Sequence, residues 1–476
     1  MIYPLKTPLR NRALSTLIVF WGILFSTPSL SQDAAQLYTN YCAGCHGARM
    51  EGNSASALIK TEWAYGRTND LLVRNISYGI AGTEMGAWKN VLTEEDIQAL
   101  ADLIVQAQNT PFSAIRELPG QIQTNHYVLD VEVLAEEDIE TPWSIGFINS
   151  ELALVTERRG TIRVLKEGSL NPEPVMDTPI PFKTRFGGFL GIAVDPAYEE
   201  NGWIYLALCE STIDQRDPSA PAMTKVIRGR IQDNTWVDEQ TLFQAPDSLQ
   251  VAGGNRWGGR LLFDGEGYLY FSIGDLAEAD ASQDPHRVPG KTFRIHADGS
   301  IPADNPYVHE PGALGAIFTL GNRNTQGFAL HPETGEVWST DHGPMGGDEL
   351  NILKKGANYG WPIVTYGIDY SGKTVSELTH AEGMTQPVTY WTPSIAVSSA
   401  AFIRGTQFPG WENNLLIGAL AYEEVRRLVV EGEQITKQET ILKGFGRVRD
   451  VKTSPDESIC VLLNNPDKIV RLTIAH

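Results

Sequence analysis

A strand–turn–strand pattern that recurs from Asn125 to the C-terminus is the strongest constraint on how this chain folds. Each unit has an apolar strand, then a turn with Asp-Pro, His-Pro or Asp-Gly or a looser equivalent, then a second strand rich in aromatic and branched residues. The six units pair Trp143–Asn149 with Glu151–Thr156, Gly188–Pro196 with Gly202–Cys209, Arg260–Gly265 with Gly267–Gly274, Gly327–Pro332 with Gly335–Thr340, Ala400–Gly405 with Asn414–Ala419, and Val451–Pro455 with Ser458–Leu463.

Short third strands follow five of these units, at Thr161–Leu165, Lys225–Ile231, Thr292–Ile295, Val425–Val430 and Lys468–Ile474. A period above about 40 residues with several strands per unit is typical of β-propeller blades, whose sheets bury both faces against their neighbours. Immunoglobulin-like sandwiches would instead form separable blocks of about 100 residues. We therefore predict an all-β six-bladed propeller over residues 125–476.

Two of the four cysteines lie in the sequence Cys42-Ala43-Gly44-Cys45-His46, which has the spacing of a covalent haem c attachment site. Two thiols on one helical turn reach the two vinyl groups of the porphyrin, and the histidine that follows ligates the iron. The alternatives are a redox Cys-x-x-Cys pair and a chance match. We predict haem c held by Cys42, Cys45 and His46.

The second iron ligand is predicted to be Met85, in a glycine-flanked loop 39 residues after His46. A thioether ligand raises the reduction potential of haem iron, as an electron acceptor requires. Met50 is the competing candidate, although a residue so near His46 would have difficulty reaching the opposite face of the haem. Helical patterns that include a capping box at Thr93–Asp96 predict a small all-α cytochrome c domain over 32–108, followed by a linker over 109–124.

The first 31 residues have the features of a signal peptide. Lys6, Arg10 and Arg12 precede the apolar stretch Ala13–Phe25, and small residues at Ser29–Ser31 follow. A retained membrane anchor is the alternative, but a bilayer needs about 20 apolar residues. We predict cleavage near Gln32 and an exported, soluble periplasmic protein with no membrane span in its mature form.

The chain carries a net charge of −20, which disfavours binding to nucleic acid. Cys209 and Cys460 lie in apolar strands, where a buried free thiol is the usual state, and a disulfide between them is the alternative.

Three polar loops stand out between the propeller strands, at Gly321–Asn324, Asp341–Glu349 and Arg447–Asp450. Their arginines form a cationic group in an acidic protein, which predicts an anionic ligand. Glycine and proline carbonyls beside acidic residues offer the oxygen ligands that Ca²⁺ prefers. The alternatives are ordinary: arginines that pair with surface carboxylates, and acidic turns that cap blades.

From about Trp143 onwards, the sequence resembles the soluble glucose/sorbosone (aldose sugar) dehydrogenases that depend on pyrroloquinoline quinone (PQQ). The fused cytochrome resembles that of two-domain quinohaemoproteins. The resemblance is carried, in order, by Gly188–Pro196, Gly258–Asp264, Ser272–Asp275, Asp298–Pro306, Asn322–Asn324, His342–Pro344 and Arg447–Asp450.

This resemblance implies PQQ over the central channel of a six-bladed propeller. It places Arg323 and Asn324 at the quinone side, and Arg447 and Arg449 at the cofactor carboxylates. It further implies a catalytic Ca²⁺ held by the carbonyls of Gly343 and Pro344. A structural Ca²⁺ would be held by Asp348, Glu349 and Tyr359.

Three positions depart from the family pattern. Arg256 stands where the family has its histidine base, Ala421 replaces a cofactor-binding lysine, and Phe186 replaces a glutamine. A guanidinium accepts no proton at neutral pH, so His342 and Asp275 are the available candidate bases. Arg256 would instead pair with the anionic cofactor in place of the missing lysine.

Two functions follow from these features. The first is a quinohaemoprotein that oxidises an aldose or related sugar or alcohol with PQQ and passes electrons through haem c. The downstream acceptor would be a cytochrome, a copper protein or an oxidase. The alternative is a propeller without PQQ that serves as a sugar-binding or docking module on an electron-transfer cytochrome.

Overall fold

A computed structural model describes residues 34–52, 55–59, 68–80, 83, 85–109, 117–184, 186–217, 219–252 and 254–475. The predicted signal peptide lies outside these residues. The N-terminal part is helical, as predicted, with α1 (Ala34–Tyr41), α2 (Ala43–His46), α3 (Asn69–Tyr78) and α4 (Glu94–Asn109).

Helix α4 packs against α1 and α3 with the apolar face that its sequence predicts. Its N-terminus carries a reciprocal capping box: Asp96 N donates to Thr93 Oγ1 over 3.1 Å, and Thr93 N donates to Asp96 Oδ2 over 3.2 Å. The predicted face lies inward, with four residues buried and Val105 half-buried. The buried four are Ile97, Leu100, Ala101 and Ile104.

Residues beyond the cytochrome form six antiparallel sheets, which confirms the six predicted blades. The first two strands are β1 (Gln121–Gln123) and β2 (Val128–Ala135). The first five blades are β3–β6 (Pro142–Phe147, Leu152–Glu157, Thr161–Lys166, Ser169–Leu170), β7–β10 (Phe189–Val194, Ile204–Glu210, Met223–Gln232, Thr235–Phe243), β11–β14 (Leu261–Phe263, Tyr268–Ile273, Lys291–His296, Ile317–Thr319), β15–β18 (Thr325–Leu330, Val337–Asp341, Asp348–Ile352, Thr389–Trp391) and β19–β22 (Val397–Phe402, Leu415–Ala419, Glu424–Glu431, Gln434–Lys443).

The sixth blade closes the ring with strands from both ends of the propeller. It contains β23 (Arg447–Thr453), β24 (Ile459–Asn464) and β25 (Lys468–Ile474), and β2 and then β1 extend the sheet outside β25. Residues 121–123, which we predicted as linker, are therefore an edge strand of this blade. The short helix α5 (Tyr198–Asn201) and the 3₁₀ turns Asp247–Leu249 and Ala279–Gln283 lie between strands.

A buried ionic network joins the inner strands around the channel. Arg260 Nη1 lies 2.9 Å from Asp450 Oδ2 and donates to Ser144 Oγ over 3.0 Å. Ser144 Oγ and Ile145 N both donate to Asp450 Oδ2, over 3.0 and 3.1 Å. Because these residues belong to or border β3, β11 and β23, the network ties three blades together and fixes β23, the strand that carries the Arg447–Asp450 loop.

Both remaining cysteines are buried free thiols, as predicted, and burial raises the pKa of Cys460 to about 12. Within the described ranges, no helix has the length and apolarity needed to cross a bilayer.

Candidate functional site

The haem attachment sequence forms the short helix α2, with its two thiols unpaired. Helical backbone places Cys42, Cys45 and His46 on one turn, as attachment to one porphyrin requires. His46 Nδ1 lies 2.9 Å from the carbonyl of Ser56, which leaves Nε2 for iron. Burial lowers the pKa of His46, so its ring is held in the neutral form that ligates metals. These residues fit a covalent haem.

Both candidate methionines belong to the hydrophobic cluster of the cytochrome. Met85 is half-buried, and its loop is closed by hydrogen bonds from Ile80 N to Met85 O (3.0 Å) and from Met85 N to Thr83 Oγ1 (3.1 Å). Met50 is buried and has a left-handed backbone. Met85 stays the predicted axial ligand.

The predicted cofactor residues lie at one end of the propeller channel. Arg323 and Asn324 precede the inner strand β15, and β23 begins with Arg447, Val448 and Arg449. His342 follows β16, which runs antiparallel to β15, so it reaches the same end. Burial lowers the pKa of His342 well below its usual range, and Arg323, Arg447, Arg449 and Arg256 lower it further. The imidazole is therefore neutral among four guanidinium groups.

Two guanidinium nitrogens at this site have no hydrogen-bond partner in the part of the chain that the structure describes. Arg323 Nε and Arg447 Nη1 are buried and make no hydrogen bond to any described residue. Arg449 lies 3.9 Å from the ring centroid of Trp143 and donates from Nε to Asn464 Oδ1 over 3.2 Å. Buried donors without partners carry a desolvation cost that an anionic ligand would remove. The arginine end of the channel therefore fits a small polyanion such as PQQ.

Arg256, at the position of the family's histidine base, is paired with Asp275. Arg256 Nε donates to Asp275 Oδ1 over 2.6 Å, and Trp361 Nε1 donates to Asp275 Oδ2 over 2.9 Å. Arg256 has φ +61°, a backbone conformation that side-chain-bearing residues adopt rarely. Asp275 is fully buried, so its carboxylate serves first as the counter-ion of Arg256.

Asn324 supports the loop geometry through its side-chain oxygen. Asn324 Oδ1 accepts hydrogen bonds from Gly258 N and Gln326 Nε2, both over 3.1 Å. The glycine-rich segment before β11 is thus fastened to the strand that follows Arg323.

The predicted calcium loop is held by Asp348, the first residue of β17. Asp348 Oδ1 accepts from Gly343 N over 2.9 Å and from Ser394 Oγ over 2.8 Å, and Oδ2 accepts from Val397 N over 3.1 Å. Burial raises its pKa to about 6. Through its hydrogen bonds, Asp348 holds the Gly343 turn in its observed conformation.

Glu349 interacts electrostatically with two other carboxylates. Burial raises the pKa of Glu349 to about 8, and the charges of Asp341 and Asp348 add to the shift. Tyr359 donates its hydroxyl to the carbonyl of Ile352 over 2.5 Å. Among the described residues, no group of three or more His, Cys, Asp or Glu side chains is placed to hold a metal.

The main-chain oxygens predicted for catalytic Ca²⁺ are partly engaged. Arg323 Nη1 donates to the carbonyls of His342 and Gly343 over 2.7 and 2.5 Å. These oxygens attract a cation, which suits Ca²⁺, but Arg323 has to release Gly343 before a metal takes its place. Calcium at Gly343 and Pro344 stays a prediction.

Sequence reasoning missed the role of two aromatic residues. The Arg323 guanidinium lies 5.3 Å from the ring centroid of Trp361 and 5.9 Å from that of Tyr370. Trp361 stands in the Asn358–Pro362 segment beside the calcium loop, which offered a signal. Tyr370 lies in an irregular loop, and nothing in its sequence surroundings marks it.

The fold and the two candidate sites define a six-bladed propeller with an arginine-lined channel end, joined to a domain with a haem c attachment sequence. Residues 139–471 match the family described as Glucose / Sorbosone dehydrogenase, and the chain belongs to that family. Residues 30–104 match the family Cytochrome C oxidase, cbb3-type, subunit III. The chain is therefore a propeller of the sugar dehydrogenase family fused to an N-terminal cytochrome c domain.

Individual proteins agree with both assignments. Over 340 residues, the chain is 38% identical to the aldose sugar dehydrogenase YliI of Escherichia coli (strain K12), covering 70% of this chain and 90% of that protein. The apo crystal structure of the soluble aldose sugar dehydrogenase from Escherichia coli superposes with a TM-score of 0.68 at 35% identity, covering 73% of this chain and 100% of that one. The cytochrome region is 32% identical over 101 residues to cytochrome c55X of Stutzerimonas stutzeri, covering 21% of this chain and 88% of that protein.

Proposed function

We propose that this protein is a periplasmic quinohaemoprotein that uses PQQ to oxidise an aldose or a related sugar or alcohol. Its cytochrome then carries the electrons to an external acceptor. The observation that carries the proposal is the set of buried arginines with unmet donors at one end of the channel, Arg323 and Arg447 above all.

Different residues would bind the two cofactors. Arg447 and Arg449 would bind the cofactor carboxylates, and Arg323 and Asn324 would face its quinone oxygens. Cys42, Cys45, His46 and Met85 would hold the haem. When bound, PQQ supplies a two-electron acceptor for a hydride, and haem c supplies a one-electron carrier.

Proton removal from the substrate hydroxyl needs a base within reach. Arg256 occupies the family's base position and pairs with Asp275, whose two carboxylate oxygens are already engaged by Arg256 and Trp361. His342 is neutral and lies among the cofactor arginines. The four guanidinium groups that lower the pKa of His342 also oppose its protonation, and an anionic cofactor bound to them would offset that effect. We propose that His342 accepts the proton once the cofactor is bound.

A second function is favoured by the Arg256–Asp275 pair itself. An ion pair at the base position, together with Ala421 in place of the lysine, would suit a propeller that no longer oxidises sugar. Such a chain would bind sugar or a partner protein and use its haem for electron transfer alone.

The experiment is a PQQ titration of the haem-containing protein with Ca²⁺ present, followed by addition of aldoses. We expect saturable PQQ binding, and reduction of the haem α-band once sugar is added. The Arg447→Gln variant should bind PQQ about 10- to 100-fold more weakly, because a charge-assisted hydrogen bond contributes about 1.5–3 kcal/mol.

The matched control is Arg230→Gln, which removes an arginine of an exposed ion pair far from the channel. It should leave PQQ binding unchanged. Absence of PQQ binding to the unaltered protein would remove the proposed function and leave the second one. PQQ binding without haem reduction by any sugar or alcohol would also contradict sugar oxidation.

A further inference from the structure

The cytochrome touches the propeller beside the channel through an ion pair that follows the haem motif. Arg49, three residues after His46, has Nη2 3.9 Å from Glu423 Oε1 and also donates to the carbonyl of Asn465. The Arg49 and Glu423 side chains are only 17% and 4% exposed, so the pair is largely withdrawn from water. Nearby, the hydroxyl of Tyr422 donates to Asn40 Oδ1.

A second contact lies beside the axial methionine loop. A Cβ on Gly86 would stand 2.6 Å from Ser371 Cα, and a Cβ on Gly372 would stand 3.2 Å from the carbonyl of Ala87. Backbone therefore meets backbone here, at a distance that only glycine permits. Met345, from the predicted calcium loop, packs against the hydrophobic cluster of the cytochrome.

Each contact has one of the predicted cofactor arginines beside it, Arg447 near Glu423 and Arg323 near Tyr370. Arg447 is 6% exposed, and Glu423 and Cys45 both lie within electrostatic range of its guanidinium. Tyr370, whose ring faces Arg323, is also within electrostatic range of Cys45. The haem-bearing turn thus faces the arginine end of the channel.

We propose that Arg49 and the loop Tyr370–Gly372 clamp the cytochrome over the channel as a fixed lid, in place of a module that swings on its linker. Arg49 Nε and Nη1 and Glu423 Oε1 are buried without hydrogen-bond partners among the described residues. Loss of either residue would therefore remove a counter-charge from the other in a contact largely withdrawn from water, although Glu423 keeps Arg447 nearby. Glu423 and Asn465 have φ +48° and +55° in tight turns, which aim both groups at Arg49.

The clamp between the two domains does not depend on the proposed function. Its effect on the route of the electrons does rest on that function. With the lid closed, bulky redox dyes have poor access to the arginine end of the channel, and electrons leave through the haem. Loosening the clamp should therefore raise direct dye reduction while it slows haem reduction. A variant that is merely misfolded would lower both rates.

The test is hydrogen exchange of the full haem-containing chain without PQQ. In the Arg49→Glu variant, repulsion from Glu423 should speed exchange about tenfold or more in peptides that cover residues 366–374 and 419–424. The conservative variant Arg49→Lys, which keeps a cation opposite Glu423, should keep slow exchange. The matched control is Arg74→Glu, an equal charge change on the exposed face of α3, which should change neither peptide.

Folding is monitored by the haem spectrum and by exchange in Tyr268–Ile273, far from the contact, both of which should stay unchanged. If Arg49→Glu fails this check, Ser371→Trp loosens the clamp from the propeller side and should speed exchange in 419–424. Unchanged exchange in a correctly folded loosened variant, or exchange in Arg49→Lys as fast as in Arg49→Glu, overturns the clamp. Failure of any sugar to reduce the unaltered protein overturns the proposed function alone.

Discussion

Asp450 offers a quantitative test of how the blades are held around the channel. The Asp450→Asn change keeps the size of the side chain and removes its charge. Arg260, 3% exposed, then loses its carboxylate partner at 2.9 Å, while Ser144 and Ile145 face a weaker acceptor. Breaking a buried ion pair by removing one partner costs about 3–5 kcal/mol, because the other charge stays buried. We expect a loss of that size in the free energy of unfolding.

The control is an ion pair of equal length at the surface. Arg230 Nη1 lies 2.9 Å from Asp238 Oδ2, with side chains 33% and 48% exposed. Asp238→Asn should cost about 1 kcal/mol or less, since water screens both charges. Both variants are unfolded in urea and followed by tryptophan fluorescence, while the haem spectrum reports the cytochrome separately. If Asp450→Asn costs no more than Asp238→Asn, the network does not hold the blades together.

Two further predictions concern the cofactor sites. Met85→Ala should abolish the methionine–iron charge-transfer band and lower the haem potential, whereas Met50→Leu should change neither; a band that survives in Met85→Ala would refute the assignment. Glu349 has a pKa raised from 4.5 to about 8 by burial and by Asp341 and Asp348. The folded state therefore binds more protons than the unfolded state between these values, and its stability falls as pH rises from about 4.5 to about 8. In a chelating buffer, Glu349→Gln should flatten that part of the curve of urea midpoint against pH, and an unchanged slope would show that Glu349 titrates normally.

The blades were predictable because their signals are local. An apolar strand, a turn residue and a second strand lie within about twenty residues of one another, and the six units found in this way are six sheets of the structure. The outer strands β1 and β2, which complete the sixth blade, carried no such signal. Leu129 pairs with Ile474 across almost the whole propeller, so their partnership cannot be recognised from neighbouring residues.

The sequence predicted which arginines belong to the site, but it did not predict which ion pairs form around them. Arginines stand out in an acidic sequence, and the structure brings Arg323, Arg447 and Arg449 to one end of the channel. The Arg256–Asp275 ion pair depends on an unusual left-handed backbone at Arg256, and the Arg49–Glu423 pair depends on how two domains meet. Local sequence patterns predict neither the backbone conformation of Arg256 nor the contact between the two domains.

Because the sixth blade includes β1 and β2, its strands determine where the cytochrome and the propeller can be separated or exchanged. A propeller cut at the family boundary, residue 139, would lack Gln121–Ala135 and leave β25 as a bare edge. Unpaired strand edges recruit other chains and promote aggregation. Expression plasmids for the isolated ring, and chimaeras that exchange the electron carrier, should therefore begin upstream of Gln121.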